Sequence, residues 1–173
     1  MSDKNLLHAT LHMNLKPFTR KVFDTLHPGK PFADNWHIDA IAHQLTRVKQ
    51  GDCRRLLINQ PPRTLKSITA TVAFPAWLLG NDPKLLIACV SYAGELTSTL
   101  SDQFRRVIEA DWYKATFPKT KFRKNTNNQV LTTRGGGRIA IPVNGSFTGR
   151  GADIIIIDDP LNANDGLCQR KTG

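Results

Sequence analysis

The chain has 173 residues, 40% of them hydrophobic, and a formal net charge of +10. It is long enough for one domain with a real core and too apolar for disorder, and its charge favours a polyanionic partner, nucleic acid before an anionic membrane, over a merely solvated basic surface. No apolar run approaches the ~20 residues of a membrane helix, there is no signal-peptide pattern, and the three scattered cysteines argue against disulfides or zinc and for a reducing cytosol.

Residues 1–35 read as a helical arm and a loop. NLLHATLHMNLKPFTRKVFDTL has helical apolar spacing with Pro17 as a break or a helix start, and HPGKPFADN is turn chemistry. His8 and His12, four apart, read as surface histidines rather than metal ligands. WHIDAIAHQLTRVKQG predicts a helix, with Ile38, Ile41, Ala42, Leu45 and Val48 on one face and Gly51 as its stop. RRLLIN (54–59) predicts a short buried strand. KSITATVAFPAWLLG (66–80) predicts a helix kinked by Pro75 and ended by Gly80.

PKLLIACVS (83–91) predicts a second buried strand, and residues 93–118 are mostly helix with Leu96, Leu100, Phe104, Val107 and Ile108 inward. NQVLTTRGGGRIAIPV (128–143) predicts a hairpin around Gly135-Gly136-Gly137, and GSFTGRG (145–151) a flexible loop. ADIIIIDDP (152–160) predicts a strand buried on both faces that ends in two acids. Buried strands alternating with helices imply an α/β fold with a largely parallel central sheet. Ligands in such sheets sit at the C-terminal ends of strands, where QPPRTLKS and DDP both fall.

QPPRTLKS lies between a predicted strand and a predicted helix and ends in Lys-Ser, like a phosphate-binding loop, but Gln60 and Leu65 hold the positions of the usual glycines. Backbone N–H groups at a helix N-terminus attract phosphate. Lys66 would reach the β- and γ-phosphates, and Ser67 would place its hydroxyl on Mg²⁺. With Leu65 in place of glycine, any wrapping of phosphates has to be made in an ordinary backbone conformation. The alternative is a surface turn in which Pro61-Pro62 end a strand. Arg63 either swings over a γ-phosphate or is a solvated loop residue. Ile154 to Ile157 followed by Asp158-Asp159 has the pattern of a Walker B strand: Asp158 would hold Mg²⁺ and Asp159 would polarise the attacking water. The alternative is a turn, since Asp-Asp-Pro also begins loops.

With both segments in view, the chain resembles the ATPase domain of phage large terminase subunits, the motors that package DNA into capsids. The resemblance spans residues 30–165 and rests on GDCRRLLINQPPRTLKS, FPAWLLGNDPKLLIACVSYAGELTSTLSDQFRRVIEADWYKATFP and GSFTGRGADIIIIDDPLNANDG, in that order. Terminases of this group often write the phosphate loop as P-P-R-x-x-K-S. The resemblance therefore implies a P-loop NTPase-type fold, a mostly parallel sheet flanked by helices. It implies a divergent Walker A motif in Pro61, Pro62, Arg63, Thr64, Leu65, Lys66 and Ser67, with Ser67 and Asp158 as metal residues and Asp159 as catalytic carboxylate. ATP and Mg²⁺ are the implied cofactors. Double-stranded DNA, a portal, a small terminase subunit and a homo-oligomeric ring are the implied partners, in the cytoplasm of a bacterial host. It also suggests an adenine pocket at Trp36 or His37, each of which reads equally as a helix-docking residue. Ser91 and Tyr92 are suggested for coupling or DNA contact, and Arg150 for sensing phosphate or touching DNA, a solvent-facing loop being the alternative.

A full large terminase continues past Walker B with a coupling motif, further strands and a ribonuclease H-type nuclease domain, whereas this chain stops 14 residues after Asp159. The expected organisation is thus an arm (1–35), a partial P-loop ATPase domain (36–165), incomplete at its C-terminus, and an irregular tail (166–173). An open sheet edge near Asp158 and weak or absent hydrolysis by the chain alone are expected. Between residues 119 and 138, Lys119, Lys121, Arg123, Lys124, Arg134 and Arg138 occur without an acid, and a hairpin so charged either tracks a DNA backbone or serves solubility. The competing functions are a helicase-like motor fragment and a non-catalytic nucleic-acid-binding prophage remnant.

Overall fold

The computed structural model describes residues 3–92, 94–143, 145 and 151–160. Two helices open the chain, α1 (Asp3–Met13) and α2 (Leu15–Leu26). The break falls at Asn14, and Pro17 sits in the first turn of α2, where a helix has no use for its N–H. Helix α3 (Trp36–Gln50) ends as its sequence predicts: Gly51 adopts φ 85°, and its N–H bonds back to the carbonyls of Arg47 and Val48.

Residues 54–59 are not a strand of the sheet. Leu56 and Ile58 pack inward while Leu57 is 92% exposed, so the run alternates like a strand, but no described strand lies beside it to complete a ladder. The helix that follows begins at Lys66 and runs unbroken to Asn81. Pro75 does not interrupt it. Residues Ile68–Ala73 instead widen into a π-helical segment before α4 (Phe74–Asn81), and the N–H of Phe74 bonds to the Thr69 carbonyl five residues back. In α-winding the Pro75 ring would strike the Thr71 carbonyl, and the wider turn removes that clash. Gly80 does not end the helix; a Cβ there would sit 2.6 Å from the Phe117 ring, so this glycine permits close packing.

Strand β1 (Leu86–Ser91) leads to α5 (Gly94–Glu109) and α6 (Asp111–Thr116), broken at the extended residue Ala110. Strand β2 (Phe122–Asn125), absent from the sequence expectation, adds to the expected hairpin of β3 (Gln129–Thr132) and β4 (Gly137–Pro142), and β5 (Ile154–Asp158) closes the described chain. The sheet order is β2-β3-β4-β1-β5. It is mixed rather than largely parallel: β4, β1 and β5 run parallel, whereas β2 and β3 are antiparallel additions.

One core unites the helices with one face of the sheet. Phe18, Val22, Leu45, Phe74, Trp77, Phe104 and Tyr113 meet Ile87, Cys89 and Val130 in a single buried cluster. Trp77 donates its indole N–H to the His12 carbonyl at 3.0 Å and Tyr113 its hydroxyl to the Ala76 carbonyl at 2.8 Å, so both polar tips are satisfied. The opposite face holds a smaller cluster of Ala88, Ile139 and Ile141 to which no described helix contributes. Consequently β5 is buried on one face only: Ile154 and Ile156 pack on the core, while Ile155 and Ile157 are exposed on an edge strand.

The Phe117 ring is hemmed in by Phe18 and Tyr113 and has no room to withdraw from residue 80. Gly80→Val is therefore expected to destabilise the fold by about 2 kcal/mol through overpacking and poorer helix propensity, read as a lower urea midpoint; an unchanged midpoint would show that the close approach is not required.

Candidate functional site

The site forms where the head of the long helix meets the end of β5. Parallel pairing places Asp158 beside Ser91 of the central strand, and Asp159 follows immediately. Lys66 is the first helical residue after the loop. Its Nζ lies 2.8 Å from Asp159 Oδ1 and 3.8 Å from Asp158 Oδ1. The hydrogen bond that Lys66 donates to Asp159 is the main reason the lysine pKa is raised, against a smaller opposing effect of burial. The raised value means that the lysine's contribution to stability is complete below its ordinary pKa and is lost as pH rises through the raised one.

The two acids differ in setting. Asp158 is buried and accepts a hydrogen bond from Thr71 Oγ1 at 3.1 Å. The Asp159 side chain is 58% exposed, and its backbone holds φ 45°. Its carbonyl accepts the N–H of Tyr92 at 3.3 Å, tying it to the residue after β1.

The loop itself is strained. Arg63 has φ 65° and Leu65 φ 63°, both left-handed. The expectation that Leu65 would keep an ordinary conformation is overturned: the leucine takes the backbone shape that a glycine would take there. Such a conformation costs a non-glycine residue roughly 1–2 kcal/mol. Local bonds hold it. Thr64 Oγ1 donates to the Pro61 carbonyl at 2.8 Å, His37 Nε2 donates to the Thr64 carbonyl at 3.2 Å, and the Leu65 carbonyl receives the Thr69 N–H at 2.8 Å. Residues Gln60–Ile68 with Asp159 line an open cavity of about 420 Å³ that includes Pro61, Pro62, Lys66 and Ser67. A second cavity of about 620 Å³ runs from Lys66 and the two acids between residues 53–58 and the free side of β5.

The structure thus brings together Pro61 to Ser67, Asp158 and Asp159. His37 joins them as a brace on the loop backbone, with Trp36 beside it, ring centroids 6.3 Å apart and the indole 76% exposed. Ser91 is buried. Thr71 is the residue that sequence reasoning missed. A threonine in mid-helix carries no signal, and in an α-helix it would sit about 140° around the axis from Lys66. The π segment lessens that angle, and both side chains reach the Asp158 carboxylate.

Among the described residues no three or more His, Cys, Asp or Glu cluster as a metal site. Two carboxylates and the Ser67 hydroxyl are hard oxygen donors of the kind Mg²⁺ takes when phosphates complete its shell. Of the hairpin cations, Lys119, Lys121, Arg123, Lys124 and Arg134 are exposed. Arg138 does not join them: it is 2% exposed, donates to Ser101 Oγ at 3.1 Å and lies 4.9 Å from the Phe104 ring centroid. Arg150 lies outside the described residues. No described helix is long and apolar enough to cross a membrane. Neither models of known protein families nor curated protein sequences match the chain.

The left-handed backbone at position 65 ranks substitutions unusually. Leu65→Gly should leave stability within about 0.5 kcal/mol, relief of strain offsetting the glycine entropy, whereas the apparently milder Leu65→Val should cost about 1–2 kcal/mol because a β-branched residue resists φ 63°. Chemical denaturation of both variants checks the order, and the reverse order would refute the strained loop.

Proposed function

We propose that this chain is the ATP-binding portion of a DNA-packaging motor subunit of the large terminase kind, built on a P-loop NTPase-type fold. The observation that carries the reading is the ion pair of Lys66 with Asp159 and Asp158 across a strained loop-to-helix turn. A lysine at a helix start, facing acids at the end of a parallel strand, is the arrangement that phosphoryl-transfer sites of this class require. Strained residues cluster where function needs them, and Arg63, Leu65 and Asp159 all do so here.

In this reading the loop N–H groups and Lys66 bind the phosphates, and Ser67 and Asp158 hold Mg²⁺, which supplies charge neutralisation on the phosphate oxygens when bound. Asp159 serves as the carboxylate toward the attacking water, and Arg63 lies on the loop within the same cavity. Trp36, exposed beside the His37 brace, offers a face for a base. The exposed cations of the β2–β3 region would follow a DNA backbone without reading its sequence. That surface also supports a second reading, a nucleic-acid-binding protein without catalysis, and nucleotide binding separates the two.

A fluorescent ATP analogue titrated with Mg²⁺ should bind the wild type, and Lys66→Ala should weaken it about 10–100-fold, the scale of a charge-assisted bond; equal binding by both proteins would overturn the reading. Duplex DNA binding should fall as salt rises, with a log–log slope of about −0.9 per phosphate neutralised. Charge reversal at Arg123 and Lys124 should flatten that slope; an unaltered slope would remove the hairpin from the interface.

A further inference from the structure

We propose that Asp159 is an internal anion that occupies the lysine of the loop, its carboxylate sitting on Lys66 in place of a phosphate oxygen until a cation–phosphate complex displaces it. The inference rests on the reading of the loop as a phosphate site and adds the regulation of that site.

Lys66 carries +1 and the two carboxylates −2, so the trio is net −1. The lysine that should attract a phosphate is already neutralised at 2.8 Å. A polyphosphate arriving alone meets a satisfied cation and a surplus of negative charge. A divalent cation held by Asp158 changes that balance from −1 to +1, so that a phosphate can take the place of Asp159 on Lys66.

The two acids are unequally free to respond. Asp158 is buried and held by Thr71, so it stays. Asp159 is 58% exposed and its contact with Lys66 is a solvent-screened ion pair, so little opposes the departure of its carboxylate. Asp159 thus has two positions, one on Lys66 in the empty protein and one released when the cation–phosphate complex binds. The carboxylate assigned to the attacking water is then delivered only when ligand is present, which guards against an idle base beside an empty loop.

The test uses inorganic tripolyphosphate and a fluorescent ATP analogue, each with Mg²⁺ and with EDTA, on the wild type and Asp159→Asn. In EDTA the variant should bind up to about fivefold more tightly, the scale of an exposed ion pair, and with Mg²⁺ this advantage should shrink or vanish. Equal binding in EDTA, or an advantage of the same size with Mg²⁺, would overturn the latch and leave the phosphate reading standing. A ligand-free measurement accompanies it: thermal unfolding of Lys66→Ala, Asp159→Asn and the double variant should show coupling between the two residues, and additive effects would also overturn the latch. Failure of both proteins to bind either probe under both conditions, with the coupling intact, would overturn the phosphate reading and this proposal with it.

Discussion

Lys66 joins two elements that no β-ladder connects. Strand β5 pairs only with β1 among the described strands, and the loop before the long helix pairs with none. The lysine spans the gap by meeting Asp158 and Asp159 together. The contact with Asp159 is partly exposed and so contributes on the order of 1 kcal/mol or less. The contact with Asp158 matters differently: that carboxylate is buried, and Lys66 and Thr71 both reach it. A buried carboxylate deprived of its charged partner is costly, so the position of the helix head and the burial of Asp158 depend on each other.

The strain in the molecule is gathered around this contact. Among the described residues, those with positive φ other than glycine are Arg63, Leu65 and Asp159, all on the same cavity. The π-helical segment begins two residues after Lys66. Its cause is Pro75, which sits far down the helix, yet its effect is felt at Asp158 because it carries Thr71 there. A constraint imposed by covalent chemistry at one end of a helix thereby shapes the acid group at the other.

The positive charge divides into two populations. Arg138 is enclosed between β4 and α5, against Ser101 and the Phe104 ring, near the buried Cys89 thiol, whose pKa burial pushes up while Arg138 opposes the rise. It is a packing residue with a buried guanidinium. The exposed Arg123 and Lys124 of β2 adjoin Asn125 and Asn127, to which Arg105 donates at 3.0 Å and 2.6 Å. These cations face solvent, apart from the ion-paired lysine of the loop.

The sequence by itself determined the elements whose signal is local. Periodic apolar spacing gave α2, α3 and α5, Gly51 marked a real helix stop, and the glycines at 135–137 marked the β3–β4 hairpin. Lys66 at a helix start and two acids at a strand end were also legible, because those positions depend on their immediate neighbours in the chain. Only the tertiary structure decided what depends on partners distant in sequence. Residues 54–59 have a strand's alternation but no ladder, β5 is buried on one face because no described element covers the other, and Arg138 is buried because it lies on β4 against α5, whereas Arg134 lies in the β3–β4 turn. The same holds for Leu65. Its side chain argues against a left-handed backbone, and the geometry is imposed from outside by His37, by Thr64 and by a helix whose first lysine is anchored 93 residues further along the chain.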